Sequence, residues 1–225
     1  MTVKHLLWIP AGGTVGFLAS WIFADLLVLP IDLYYLIYFA IILSFFALYV
    51  RSTRLDLRAW ASRRIVPGVI LGLLVGAVMI RNVLSRPATE HLTGWMLWWA
   101  ILWRGIVYGG VDGILLFAFP WIVTWRAFEA ERKGLGGKVG VALVSWLMIL
   151  FVTSAYHAGY RDFRSRKIVQ PNIGSTIMSI PTLVTPNPVA SPITHIILHV
   201  TAVVHSPYTE LFLPPHREGP AREGN

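Results

Sequence analysis

The apolar residues of this chain arrive in blocks long enough to cross a lipid bilayer, and that feature constrains the fold more than any other. About 20 consecutive apolar residues span a hydrocarbon core of about 30 Å. LWIPAGGTVGFLASWIFADLLV (7–28), LYYLIYFAIILSFFALYV (33–50) and VPGVILGLLVGAVMIRNVL (66–84) reach or approach that length within the first 84 residues. No water inside the bilayer can satisfy the backbone, so a spanning segment must be a helix or belong to a closed barrel. The runs are continuous rather than alternating, which selects helices. The expected fold is an all-α, polytopic integral membrane protein. It would have five to seven spans, with residues 1–206 forming one transmembrane domain and residues 207–225 a polar, exposed C-terminal tail.

Composition agrees. Charged residues are 13% of the chain, against about 25% in soluble domains. The net charge of +8 comes from 19 Lys and Arg against 11 Asp and Glu. Basic residues collect in loops between apolar blocks, which is the pattern of membrane topology rather than of nucleic-acid binding. The ten tryptophans lie mostly within or at the ends of the apolar blocks, as interfacial anchors do. With no cysteine, disulfides, thiolate nucleophiles and cysteine metal sites are excluded. Any metal must use His, Asp or Glu.

The loop RSTRLDLRAWASRR (51–64) holds five arginines and one aspartate. It reads as cytoplasmic, which puts the N-terminus on the same side; a bacterial or archaeal cytoplasmic membrane is the expected location. Its Leu55, Leu57 and Trp60 suit a segment lying along the membrane surface. Gly68, Gly72 and Gly76 repeat every four residues, a spacing that lets helices approach closely in lipid. Residues 94–125 are too long for one hydrocarbon crossing and too short for two. Gly105, Gly109, Gly110, Gly113 and Pro120 offer places to kink or break, so a tilted, kinked or interrupted fourth helix is expected, with Arg104 and Asp112 near the interruption. A span at 139–157, a re-entrant or partial helix at 173–184 and a last helix at 191–206 follow. Sidedness after residue 94 stays open, because the basic stretches 126–138 and 161–167 make conflicting demands.

The candidate site consists of Asp112, His157, His195 and His199. His195 and His199 share one helix face by their spacing, and ionisable groups inside membrane helices are rare and usually functional. Three histidines and a carboxylate form a plausible donor set for zinc or another divalent metal, which would leave a place for water. Each residue also has a structural alternative. Asp112 can pair with Arg104, the late histidines can bond to neighbouring helices, and Asp25, Glu129, Glu131 and His205 read as interfacial or loop groups.

In that order along the chain, SAYHAGY and SPITHIILH resemble motifs of the CAAX-protease and bacteriocin-processing (CPBP) family of intramembrane endopeptidases. That family carries Glu-Glu-x-x-x-Arg, then Phe-x-x-x-His, then His-x-x-x-Asn or a variant. The resemblance spans residues 95–206. Read from Arg104, Trp99 and Ala100 occupy the Glu-Glu positions, and Thr153 occupies the Phe position. The resemblance implies a helical membrane fold acting on a peptide or lipid-modified substrate, as a hydrolase or a non-catalytic relative. It gives Asp112 the role of base, with His157 and His195 in support. Two other readings fit the residues: a haem-b or metal-binding subunit using His157 with His195 or His199, and an accessory subunit or transporter without enzymatic activity.

Overall fold

The computed structural model describes residues 3–209 and 212–214, and among these every regular element is helical. Five helices are long and apolar enough to cross a membrane: α1 Lys4–Leu26, α2 Ile31–Thr53, α4 Ile65–Leu84, α5 Gly94–Ala127 and α6 Leu135–Ala158. The short α3, Leu57–Ser62, joins α2 to α4. Two further helices, α7 Val169–Val184 and α8 Ala190–His205, complete the bundle.

The outward faces are apolar. Leu36 and Leu48 on α2, Leu73 and Leu74 on α4, and Leu143 and Leu147 on α6 are all exposed, while Asp112, Ser145, Thr153, Ser175, Ser179, Ser191 and Thr194 are buried. A soluble protein avoids large exposed apolar patches; this arrangement needs lipid outside. The chain is an all-α polytopic membrane protein.

Helix α5 is the pillar. Of its apolar stretch 78% is buried inside the protein, against 22–33% for the other four long helices. Of the tilted, kinked or interrupted forms expected for it, the interrupted one is absent: the helix runs unbroken through two π-helical turns, Ile101–Val107 and Ile114–Ala118. Such turns absorb irregularity without ending a helix, and the second immediately precedes the turn containing Pro120. At 1.5 Å per residue, α5 is about 50 Å long, so it must incline across the hydrocarbon or extend past it. Trp95 and Trp98 near its start are exposed, as anchors would be, but Trp121 and Trp125 near its end are fully buried. Those two stack on each other with centroids 5.0 Å apart, so they are core residues rather than interfacial anchors.

Contacts between loops show which of them share a face. Arg63 pairs with Glu131 at 2.7 Å, and Arg126 donates to the Thr53 hydroxyl and carbonyl at 2.9 Å, so loops 51–64 and 128–134 share one face. Asp25 accepts from Arg164 at 3.3 Å and from the Arg161 backbone at 3.2 Å, placing residues 161–164 on the opposite face. Glu131, expected as an ordinary loop charge, also accepts from the buried Trp125 indole at 2.8 Å.

Helices α7 and α8 run between the same two faces. At one, Asn187 donates to the carbonyls of Ala61 (3.0 Å) and Arg63 (2.5 Å). At the other, His205 donates to the Arg86 carbonyl at 2.9 Å. The segment expected as a partial helix at 173–184 is thus a full 16-residue helix starting at Val169. Its polar residues face protein: Asn172 meets Ser154, Ser175 meets Thr153 and Thr176 meets Trp146. After α8, Leu213 is buried, so part of the segment expected to be an exposed tail packs on the bundle. Residues 210–211 and 215–225 of that tail lie outside the described residues.

Candidate functional site

Two rows of small residues hold α8 in place. On α4, a Cβ at Gly72 would stand 2.6 Å from the Ala190 carbonyl oxygen. Gly68 and Gly76 leave room for the side chains of Asn187 and Ile197. On α5, a Cβ at Gly109 would stand 2.9 Å from Ile196 Cα and one at Gly113 3.0 Å from Pro192 Cα, while Gly105 abuts Val200. The Thr194 hydroxyl donates to the Gly72 carbonyl at 2.9 Å, fixing the rotation of α8 about its axis. Close backbone approach of this kind, backed by an interhelical hydrogen bond, is how membrane helices associate. Its consequence is that His195 and His199 face α5 at the level of Asp112.

The three side chains meet. His195 Nε2 lies 3.6 Å from Asp112 Oδ2 and 3.2 Å from His199 Nε2. One ligand atom from each residue lies within 4.8 Å of both others, and all three residues are buried. The partners of the remaining atoms fix their roles. His195 Nδ1 is 3.0 Å from the Gly109 carbonyl. A carbonyl only accepts, so Nδ1 carries the proton and Nε2 keeps its lone pair towards the group. The Tyr38 hydroxyl donates to Asp112 Oδ1 at 2.5 Å, leaving Oδ2 for His195.

Tetrahedral zinc with ligand bonds of about 2.0–2.1 Å sets its donor atoms about 3.3–3.4 Å apart. Two of the three separations, 3.2 and 3.6 Å, bracket that range, and the third pair lies within 4.8 Å. His195 has the outer-shell carbonyl that metal-ligating histidines usually carry. His199 does not: its Nδ1 is buried without a hydrogen-bond partner. Without an ion, the same 3.2 Å contact serves as a hydrogen bond from His199 to His195.

His157 lines the same cavity but lies outside the three-residue group. Its Nδ1 donates to the Thr153 carbonyl at 2.8 Å, and its ring packs edge-on against Tyr156 and Phe163. Of the four side chains expected to gather, three meet and His157 stands in the cavity wall. The suggested pairing of Arg104 with Asp112 is replaced by another. Arg104 forks onto Asp32 with contacts of 2.9 and 3.1 Å, because α2 brings Asp32 beside α5. A haem between His157 and a late histidine gains no support, since both late Nε2 atoms already face each other.

Sequence reasoning missed the tyrosines. Tyr38 holds Asp112, and the hydroxyls of Tyr108, Tyr156, Tyr160 and Tyr34 form a chain of hydrogen bonds of 2.6–2.7 Å behind it. The available signal was Tyr34 and Tyr38, one turn apart in an apolar span: a phenol in lipid needs a partner. Were the group to hold zinc, Tyr38→Phe would weaken its binding about tenfold, the lower end of what outer-shell partners contribute. Titration of the detergent-solubilised protein checks this, and an unchanged affinity removes Tyr38 from the site.

The group opens into a cavity of about 410 Å³ walled by α4, α5, α6, α7 and α8. No known protein family, curated protein or solved structure matches the chain.

Proposed function

We propose that this protein is an intramembrane hydrolase in which Asp112, His195 and His199 hold one divalent cation, zinc being the ion their donors suit best. The observation that carries this reading is the convergence of three ligand atoms within 4.8 Å at the inner end of a cavity. Buried ionisable groups are expensive in a membrane and mark working sites. A bound divalent ion supplies an acidic water and polarises a carbonyl.

The residues supply the rest. Asp112, restrained through Oδ1 by Tyr38, presents Oδ2. His195, restrained through Nδ1 by Gly109, presents Nε2. His157 has Nδ1 committed to Thr153, so its Nε2 is the basic nitrogen in the cavity wall. In this role it takes a proton from the attacking water and returns it to the leaving group. Water oxygen joins the carbonyl carbon, the carbon–nitrogen or carbon–oxygen bond breaks, and the proton ends on the departing atom.

The order Asp112, His157, His195-x-x-x-His199 along the chain is the part of the CPBP resemblance that this reading keeps. Residues 51–64 and 126–138 put nine of the 19 basic residues on one face, against four in 161–167 on the other, so the first face and the N-terminus are assigned to the cytoplasm. The test is cleavage of a fluorescence-quenched transmembrane peptide in liposomes. Zinc-loaded wild type is expected to cleave it, and a chelator, Asp112→Ala or His157→Ala to reduce cleavage to background. Wild type without cleavage, or an active Asp112→Ala variant, overturns the proposal.

A further inference from the structure

The cavity has a second polar end. Its walls are mostly apolar, with Met79, Phe163, Ile177, Met178 and Leu198 among the lining residues, and Tyr156, His157, Tyr160 and Ser175 add isolated polar groups. Arg86, Asn82 and Gln170 line it as well. Arg86 stands just beyond α4, at the face where its carbonyl accepts from His205. His205 is six residues after His199 and ten after His195 on one helix, which is about 9 and 15 Å of rise. The guanidinium end therefore sits on the order of 10 Å from the Asp–His group.

Arg86 is exposed and has no ion-pair partner among the described residues. An unpaired guanidinium is a fork-shaped donor that matches a carboxylate or a phosphate. Wholly polar molecules do not suit a largely apolar space, where most of the water they lose would not be replaced. A plain hydrocarbon would leave Arg86, Asn82 and Gln170 unused. The volume, about 410 Å³, falls within the range of about 300–1,000 Å³ seen for small-molecule pockets.

We infer that the cavity takes a single-chain anionic amphiphile, with its carboxylate or phosphate at Arg86 and its apolar body along the cavity towards Asp112, His195 and His199. That this ligand is also the substrate rests on the hydrolase reading; that it binds does not. The experiment is displacement of 11-(dansylamino)undecanoic acid from protein in zwitterionic-lipid nanodiscs. The competitors are dodecanoate, dodecyl phosphate and dodecanol.

At least one anionic competitor is expected to act at a concentration about tenfold or more below dodecanol, as one charge-assisted contact implies; which one acts identifies the head group. Arg86→Gln should erase that preference, while Arg81→Gln, in the last turn of α4 and outside the cavity, should leave it intact. Leu198→Trp, which fills the cavity, should block all competitors. His195→Ala should still bind the amphiphile, so that loss of hydrolysis and loss of this site are told apart. Equal displacement by dodecanol, or an Arg86→Gln protein that keeps the anionic preference, overturns the inference.

Discussion

Replacing His195 by alanine is expected to weaken zinc binding by on the order of 100-fold or more, and with it to abolish cleavage. Loss of an outer-shell partner alone commonly weakens metal affinity about 10–100-fold, and His195 is itself a ligand. It also occupies the middle of the group: its Nε2 is the atom measured against both Asp112 Oδ2 and His199 Nε2. Removing it leaves a carboxylate and one imidazole, too few protein ligands for the three-ligand site typical of catalytic zinc. The substitution also leaves the Gly109 carbonyl without its side-chain partner, at a cost of about 1–3 kcal/mol if nothing replaces it. Thermal unfolding without metal therefore belongs beside the titration. His157→Ala is the control: it should keep wild-type zinc affinity while losing activity, because its ring lies outside the ligand group. A His195→Ala protein with undiminished affinity shows that the ion is held elsewhere.

The second large effect comes from a residue with no chemistry. Gly109→Val is expected to destabilise the protein by roughly 1–3 kcal/mol, the range for overpacking in a tight core, and to disrupt zinc binding with it. A Cβ there meets Ile196 Cα at 2.9 Å and His199 Cβ at 3.3 Å. Backbone cannot swing aside as a flexible side chain can, so α8 must shift and carry both late histidines away from Asp112. Gly110→Ala is the matched comparison: its nearest neighbour is Ile196 Cδ1 at 3.7 Å, ordinary contact, and near-neutral behaviour is expected. Unfolding temperature and zinc affinity measured on both variants decide the matter. Equal effects at 109 and 110 contradict the close-approach account.

Much of the architecture was readable from residue order alone, because a bilayer leaves a chain few options. The long spans follow from apolar length, and the four-residue glycine spacing on α4 predicts the contact it makes. Helix α7 was harder to read. Its Asn, Ser, Thr and Pro lower its hydropathy, and only the structure shows Asn172, Ser175 and Thr176 turned towards α6. The glycines of α5 read only as places to bend or break, because spacing alone does not tell a hinge from a docking row. That row, with Gly72 opposite, is what seats α8.

At the site, the His195–His199 pairing followed from helical period, and convergence with Asp112 was a reasonable expectation from depth. Three things were not available from the sequence. One was the Gly109 carbonyl that sets the His195 tautomer, since a backbone acceptor has no sequence signature. Another was Tyr38, more than 70 residues from its partner. The last was the exchange of Arg104 from Asp112 to Asp32, because helix neighbours are not written in a single chain.

The central claim is that one divalent ion sits between Asp112, His195 and His199. X-ray absorption at the zinc edge of the purified, zinc-loaded protein tests it most directly. The account predicts one zinc per chain with two imidazole nitrogens and one or two oxygens at about 2.0–2.2 Å, and the imidazole signal lost in a His195→Ala, His199→Ala double variant. A protein that retains no zinc, or a wild-type spectrum with only oxygen donors, would contradict it.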